Sequence, residues 1–382
     1  MKRFNQHTLI FSSIIIGFLL AFMFMSSFNT KEEFEDLALG KATVPHFATD
    51  SNNINVHYLP KVNANNFLND LSFYLQNQTI LYLGNSQSHS INQKQKNDNT
   101  MSGYLFSELI KDSISFLTAS IPNANLQEHY LLYNFFSNKI PNLKLVILPV
   151  FMDDLRETGI REAYFSSFSK TEHLITDTNQ IAQEINSMLT KFKKTNSTTK
   201  SNIDNKALNE TTQEIVEKKL NDVLESNFKF WGNRKNIRGN YFNLLYKSRN
   251  SLFNISSQST RKMIKNRYEK NFKALNLIIK SALNKNIKIL LVIPPIRKDI
   301  KNPYDISEYE NFKTDINDLC KKYNINYLDF DNIIDGKYWG YSAPTQLFKD
   351  KDYDFMHFQA KAHRILADSL KPYILKEINH AL

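Results

Sequence analysis

Cysteine is nearly absent from this chain. Its single residue, Cys320, excludes an intrachain disulfide and any multi-cysteine metal cluster, and it falls in a helical stretch, Phe312 to Tyr323, where it reads as a core residue. Glycine is scarce too, nine in 382 residues, so any glycine beside a strand end carries weight. The formal charge of +10 comes without a zinc finger, an RNA-recognition motif or an arginine-rich arm. Lys and Arg are instead scattered through helical stretches, as on a solvated basic surface. An anionic polymer or phospholipid surface is a compatible neighbour, and a nucleic-acid partner is not expected. No internal repeat is visible, and only one long apolar run occurs.

That run is at the amino terminus. Met1-Lys2-Arg3 is basic, the stretch from Thr8 to Phe28 is apolar and uncharged, and Glu32, Glu33, Glu35 and Asp36 follow. About twenty apolar residues span a bilayer as a helix, and the Lys/Arg flank favours the cytoplasmic side. With no small-x-small cleavage site closing the run, an uncleaved single-pass anchor is expected, with the rest of the chain extracytoplasmic. The expected organisation is a tail at 1–7, an anchor at 8–28, a stalk and lead-in at 29–77, and an α/β domain at 78–382 with a helical insertion at about 165–259.

Hydrophobic residues make up 42% of the chain and aromatics 13%, ample for a packed core. Five apolar-rich runs read as strands: 79–83, 114–119, 143–150, 287–293 and 325–330. The first, third and fourth are nearly continuous, the pattern of strands covered on both faces. Ser115 and Thr118 interrupt the second, and the last alternates, so these belong nearer the sheet edges. Helical patterns at 103–111, 126–137, 260–283 and 308–323 separate them. Alternation of this kind predicts an open parallel sheet whose chemistry gathers at the carboxyl ends of its strands.

At the first such end the chain reads Gly84-Asn85-Ser86-Gln87-Ser88. Gly84 suits a tight turn, and Ser86 enters the next helix with its hydroxyl directed at the crevice. The amides of Ser86 and Gln87 are placed to donate to a developing oxyanion. A serine hydroxyl needs a base to become a nucleophile. The best-placed base is His357, in Asp354-Phe355-Met356-His357, on a loop ahead of the last helix. A carboxylate three residues before a histidine can bind one ring nitrogen and fix the tautomer, leaving the other to face Ser86. Each motif alone is common; their order along the chain is specific. His363 lacks a suitable upstream acid, and His89 reads as a solvent-facing loop residue.

Gly84-Asn85-Ser86 and Asp354-x-x-His357 resemble the first and last blocks of the SGNH/GDSL hydrolase superfamily. With the anchor, the chain looks most like the branch of DltD and the alginate O-acetyltransferase-like proteins, which work beside membrane-bound O-acyltransferases on cell-surface polymers. The resemblance implies a flavodoxin-like three-layer αβα fold with a five-stranded parallel sheet, an acyl-serine intermediate and no cofactor. It covers most of the chain outside the anchor and insertion. The middle blocks depart from the family pattern. After the second strand, Asn123 or Asn125 would have to supply the backbone amide that a glycine usually gives. After the third, Asp153 stands where an asparagine belongs, and an ionised aspartate cannot donate a hydrogen bond. Either Asp153 stays protonated, or Arg156 or Arg161 takes over the electrostatic task, or the oxyanion hole is weak; the two arginines could equally bind an anionic substrate or simply pair with nearby acids. No metal is expected at Asp153 and Asp154, because no histidine or further carboxylate accompanies them. Two further segments flank the active edge: Pro294-Pro295-Ile296-Arg297, a pocket wall, and Tyr338-Trp339-Gly340-Tyr341, either ordinary packing or an aromatic platform for a sugar.

Overall fold

The computed structural model describes residues 42–50, 53–161, 164, 175–191 and 234–379, with isolated positions at 13, 15–17, 223–224 and 226–227. No helix among the described residues is long and apolar enough to cross a membrane. The expected anchor at 8–28 lies almost wholly outside them, as does most of the expected insertion.

The chain divides into two compact units. The larger comprises residues 42–198, 257–342 and 353–382 and holds a six-stranded, all-parallel sheet. Its strands are β2 (His57–Tyr58), β3 (Gln78–Gly84), β5 (Ile114–Ser120), β6 (Leu143–Pro149), β7 (Lys288–Ile293) and β8 (Asn326–Asp329), in the order β2-β5-β3-β6-β7-β8. The sheet therefore has one strand more than the five expected. The extra one, β2, is two residues long and pairs with β5 at Thr118 and Ala119, too short to leave a periodic signal. Residues from 42 onward, expected as stalk and lead-in, belong to this unit: they supply β1 (Thr43–Pro45), the edge strand β2 and helix α1 (Pro60–Gln76).

Two minor pairs complete the strands. β1 runs antiparallel to β4 (Ser90–Asn92), and β9 (Trp339–Ser342) pairs with β10 (Asp352–Phe358).

Strand side chains alternate between two cores, which is what makes the architecture three-layered. Leu81, Leu117, Val146 and Leu291 face one side, with Phe135 of helix α4 (Leu126–Lys139), Ile278 of α6 (Lys265–Asn284) and Phe312 of α7 (Ile306–Tyr323). Ile80, Phe116, Ile147 and Leu290 face the other, with Leu105 of α3 (Met101–Leu109) and Leu366 of α8 (Ala360–Asn379). The near-continuous apolar runs at β3, β6 and β7 are the consequence, since both faces of each are covered. β8 is the sheet's far edge and is only partly covered, with exposed residues at both of its ends.

Sequence also sets the helix ends. Asn125 caps α4 through its side chain, reciprocated by Glu128 in a capping box. Asp305 caps the start of α7, and Asn324 ends it in the left-handed region at φ 51°.

The smaller unit comprises residues 1–41, 199–256 and 343–352. Its described part contains helix α5 (Arg234–Leu252). There Asn250 Nδ2 donates to Thr345 O at 3.0 Å, and the Ser251 hydroxyl accepts from Leu347 N at 2.9 Å.

The core makes a simple prediction. Leu81 is fully buried on the central strand β3. Leu81→Ala should cost roughly 2–5 kcal/mol of unfolding free energy, read from urea denaturation; a loss below about 1 kcal/mol would contradict the packing described.

Candidate active site

β3 lies between β5, reached by the next crossover, and β6, reached by the one after, so the chain reverses its direction of travel across the sheet at β3. Open α/β sheets bind ligands at the carboxyl end of such a switch point. The turn there is built from Gly84, Asn85 and the one-turn helix α2 (Ser86–His89). The Asn85 side-chain oxygen accepts from Gln87 N at 3.0 Å, and the Asn85 carbonyl accepts from the Ser88 hydroxyl at 2.6 Å. Gly84 is required for space rather than for dihedral freedom. A Cβ there would sit 2.5 Å from Ser88 Oγ and 2.9 Å from the Tyr82 ring.

Asp354 and His357 lie on β10, not on a loop as the sequence suggested. In a flat strand, residues three apart point to opposite faces. Here Asp354 Oδ1 accepts from the amides of both Met356 and His357 at 2.9 Å. Those bonds bend the strand and bring the two side chains together. Asp354 Oδ2 is 2.9 Å from His357 Nδ1, and His357 Nε2 is 2.9 Å from Ser86 Oγ. All three residues are buried. Burial works against the Asp354 charge, but the His357 ring and the two amides outweigh it, holding the carboxyl below its ordinary value. An ionised Asp354 fixes Nδ1 as a donor and leaves Nε2 to accept from the serine hydroxyl.

The residues expected around this trio divide differently. Gln87 is buried beside Ser86, but its amide is occupied by Asn85. Its side-chain nitrogen donates to Pro295 O at 2.9 Å and Met356 O at 2.8 Å. Gln87 therefore ties the serine turn to β10 and to the loop after β7. The Ser86 amide, at the first position of α2, has no acceptor within the helix.

Asn123 is exposed at a turn with φ 52°, and Asn125 is committed to the α4 cap and to Gly159 O at 2.9 Å. Arg161 grips Glu128, with Nη2 to Oε2 at 2.6 Å and Nε to Oε1 at 2.8 Å, so it serves the fold. Asp153 faces two guanidinium groups, Arg156 at 3.1 Å and Arg261 at 2.6 Å, instead of the serine turn.

Its neighbour Asp154, which the sequence reading did not assign to the site, approaches the turn instead. It is buried, accepts from Phe151 N at 2.9 Å, and lies 3.4 Å from Asn85 Nδ2. Burial pushes its carboxyl well above the ordinary value.

Histidines also pack under the turn. His57 Nδ1 accepts from Ala48 N at 3.1 Å, and Nε2 donates to Ser88 O at 3.2 Å. His363 Nδ1 accepts from Met101 N at 3.2 Å, and Nε2 donates to Ser90 O at 3.1 Å. His89 is buried rather than solvent-facing, with Nδ1 at 2.8 Å from the Ser120 hydroxyl. Burial lowers all three: His57 to about 4, His363 to about 3, and His89 well below its ordinary value.

No family model matches the chain, and no curated protein matches it. Among solved structures, a GDSL-like lipase from Bacteroides thetaiotaomicron is 10% identical over 83% of this chain and 98% of its own, at a TM-score of 0.37. An acetylxylan esterase from Geobacillus stearothermophilus is 9% identical over 80% of this chain and 96% of its own, at a TM-score of 0.35. Likeness that distant does not bear on chemistry.

The buried histidines generate a pH prediction. In the unfolded chain they titrate near 6.5, whereas folded His57 and His363 stay neutral down to about 4 and about 3. The unfolded state therefore binds more protons as pH drops below about 6.5, and stability falls until the folded values are reached. The urea midpoint should drop steadily from pH 6.5 to pH 4, and His57→Gln should flatten that slope. A midpoint independent of pH down to 4.5 would show that these rings are not buried neutral.

Proposed function

We propose that this chain is a serine esterase or O-acyltransferase that forms an acyl-serine at Ser86, working outside the cytoplasm on acyl esters of a cell-surface glycopolymer. The observation that carries the reading is the hydrogen-bonded line from Asp354 through His357 to Ser86, with both links at 2.9 Å. It is the arrangement in which an oriented imidazole can activate a serine hydroxyl.

In the first half-reaction Ser86 Oγ attacks the ester or thioester carbonyl, and His357 Nε2 takes its proton. The resulting oxyanion meets the Ser86 amide. Collapse breaks the bond to the leaving alcohol or thiol, which departs with the proton from Nε2. In the second, a water or a polymer hydroxyl attacks the acyl carbon while Nε2 takes the new proton. Ser86 then leaves and recovers it. Asp354 stays ionised throughout and steadies the imidazolium. The balance needs no cofactor.

Hydrolysis and transfer differ only in the acceptor. The basic tail and apolar run at the amino terminus, with the +10 charge, support a place at the outer membrane-facing surface beside a polymer and a membrane-bound O-acyltransferase. A second reading is a non-catalytic SGNH-like partner that assembles with such a transferase or binds glycan. Its support is Asp153, engaged by Arg156 and Arg261 where the family pattern has a donating asparagine.

A fluorophosphonate probe separates the two. Wild-type protein should label at Ser86, Ser86→Ala and His357→Ala should abolish labelling, and Asp354→Asn should slow it by several orders of magnitude, on the order of 10⁴. Folded wild-type protein that resists the probe would overturn the enzyme reading.

A further inference from the structure

Residues of β9 and β10 help to line a cleft of about 420 Å³, whose walls include Gln93, Arg297, Asp299, Tyr341, Tyr353 and Gln359. Its volume is in the range of small-molecule sites. Ser86 is not part of the lining, but two lining residues bracket the catalytic pair in the chain. Tyr353 immediately precedes Asp354, and Gln359 follows His357 by two positions, roughly 7 Å of extended backbone.

The walls are fixed in place. Arg297 is buried and donates to both Asp299 oxygens, at 2.8 and 3.0 Å, and to Gly340 O at 2.8 Å. Its guanidinium lies 4.7 Å from the centre of the Tyr353 ring, and the Tyr341 ring stands 5.4 Å from Tyr353 at 30°. Gly340 lets the backbone between them pass close to Asn92, whose side chain leaves no room for a Cβ. Tyr353 keeps 44% of its surface exposed, although it is a large aromatic beside a catalytic-type pair. Gln359 Nε2 donates to Gln93 Oε1 at 3.0 Å, which leaves the Gln93 amide hydrogens and the Gln359 carbonyl oxygen for a ligand.

Charge narrows the choice of ligand. The Arg297 charge is matched by Asp299, and Lys337, which also lines the cleft, is paired with Asp335 at 2.8 Å. Among the described residues that line the cleft, each cation thus has a carboxylate partner. What remains is an exposed ring system, paired amide donors and acceptors, and a carboxylate edge. A ligand with an apolar face and a rim of hydroxyls satisfies all of these.

The geometry points to this cleft as a binding subsite for an uncharged sugar ring of the glycan, next to the sugar whose ester is presented to Ser86. Tyr353 and Tyr341 supply the aromatic wall, and Gln93, Gln359 and Asp299 bind the hydroxyls. The inference rests on the esterase reading for what the glycan carries, and it makes that glycan neutral at this position despite the chain's basic charge.

The test uses the full chain in detergent on an array of neutral and acidic glycans, with fluorophosphonate labelling of the same preparation. Wild-type protein should capture one or more neutral glycans. Tyr353→Ala should weaken capture about tenfold, and Tyr353→Phe should retain it. Gln93→Ala decides in place of Tyr353→Ala should the latter lose its near-ultraviolet dichroism. Capture of no glycan, capture of acidic glycans alone, or capture indifferent to both truncations would overturn the assignment. Labelling at Ser86 without capture sinks the cleft and spares the esterase; capture without labelling does the reverse.

Discussion

The hydrogen bond between Ser86 and His357 joins residues 271 positions apart in the chain. Holding two such distant side chains at 2.9 Å requires that β10 be docked onto the carboxyl end of β3 with little freedom. Apolar packing alone positions elements without directional precision, whereas a buried amide with two acceptors fixes distance and angle together. Gln87 is that amide. Its nitrogen binds one carbonyl from the loop after β7 and one from Met356, the residue before His357. The residue that follows Ser86 thus sets the position of His357. Asp354 completes the arrangement by bending β10 around its own carboxylate.

Beneath the turn, His57 and His363 donate to the carbonyls of Ser88 and Ser90, which bracket the end of α2. A one-turn helix leaves most of its backbone groups unsatisfied, and buried carbonyls without donors are costly. Two neutral rings, each also accepting a backbone N–H, meet that need from separate parts of the chain. Imidazole suits the position because it donates and accepts at once, along a fixed line. The burial that keeps these rings neutral gives the turn its rigidity and its sensitivity to acid.

The legible parts of the sequence were those governed by local rules. β3, β6 and β7 announced themselves as continuous apolar runs because both faces are covered. Gly84-Asn85-Ser86 and Asp354-x-x-His357 stood out because each is compact in the chain, and Gly84 closes a strand of the parallel sheet. The missed features depend on partners far away. β2 is two residues long and exists only because β5 offers an edge. Arg261 joins Asp153 across 108 positions, so nothing near Asp153 indicated that its carboxylate was already engaged. Asn125 and Arg161 carried polar side chains at plausible positions, but helix capping and a buried Glu128 claimed them first. Gln87 was placed correctly beside the serine and given the wrong task, since the signal for a clamp lies in Pro295 and Met356 rather than in Gln87 itself.

The acid after the third strand bears on how the site meets developing charge. Asp153 is turned to two arginines, and Asp154 occupies the buried place next to Asn85. A carboxylate so close to a forming oxyanion would oppose it, but burial raises Asp154 well above its ordinary value and favours the uncharged acid. Its two carboxyl oxygens face N–H groups, Phe151 N at 2.9 Å and Asn85 Nδ2 at 3.4 Å. Asn85 in turn holds the Gln87 amide, and the Ser86 amide at the start of α2 has no acceptor within the helix. On the proposed esterase reading, weakening the opposing charge beside the turn would matter as much as supplying donors. If the proposed glycan ester is the substrate, binding energy from the rest of that molecule would help place its carbonyl against Ser86.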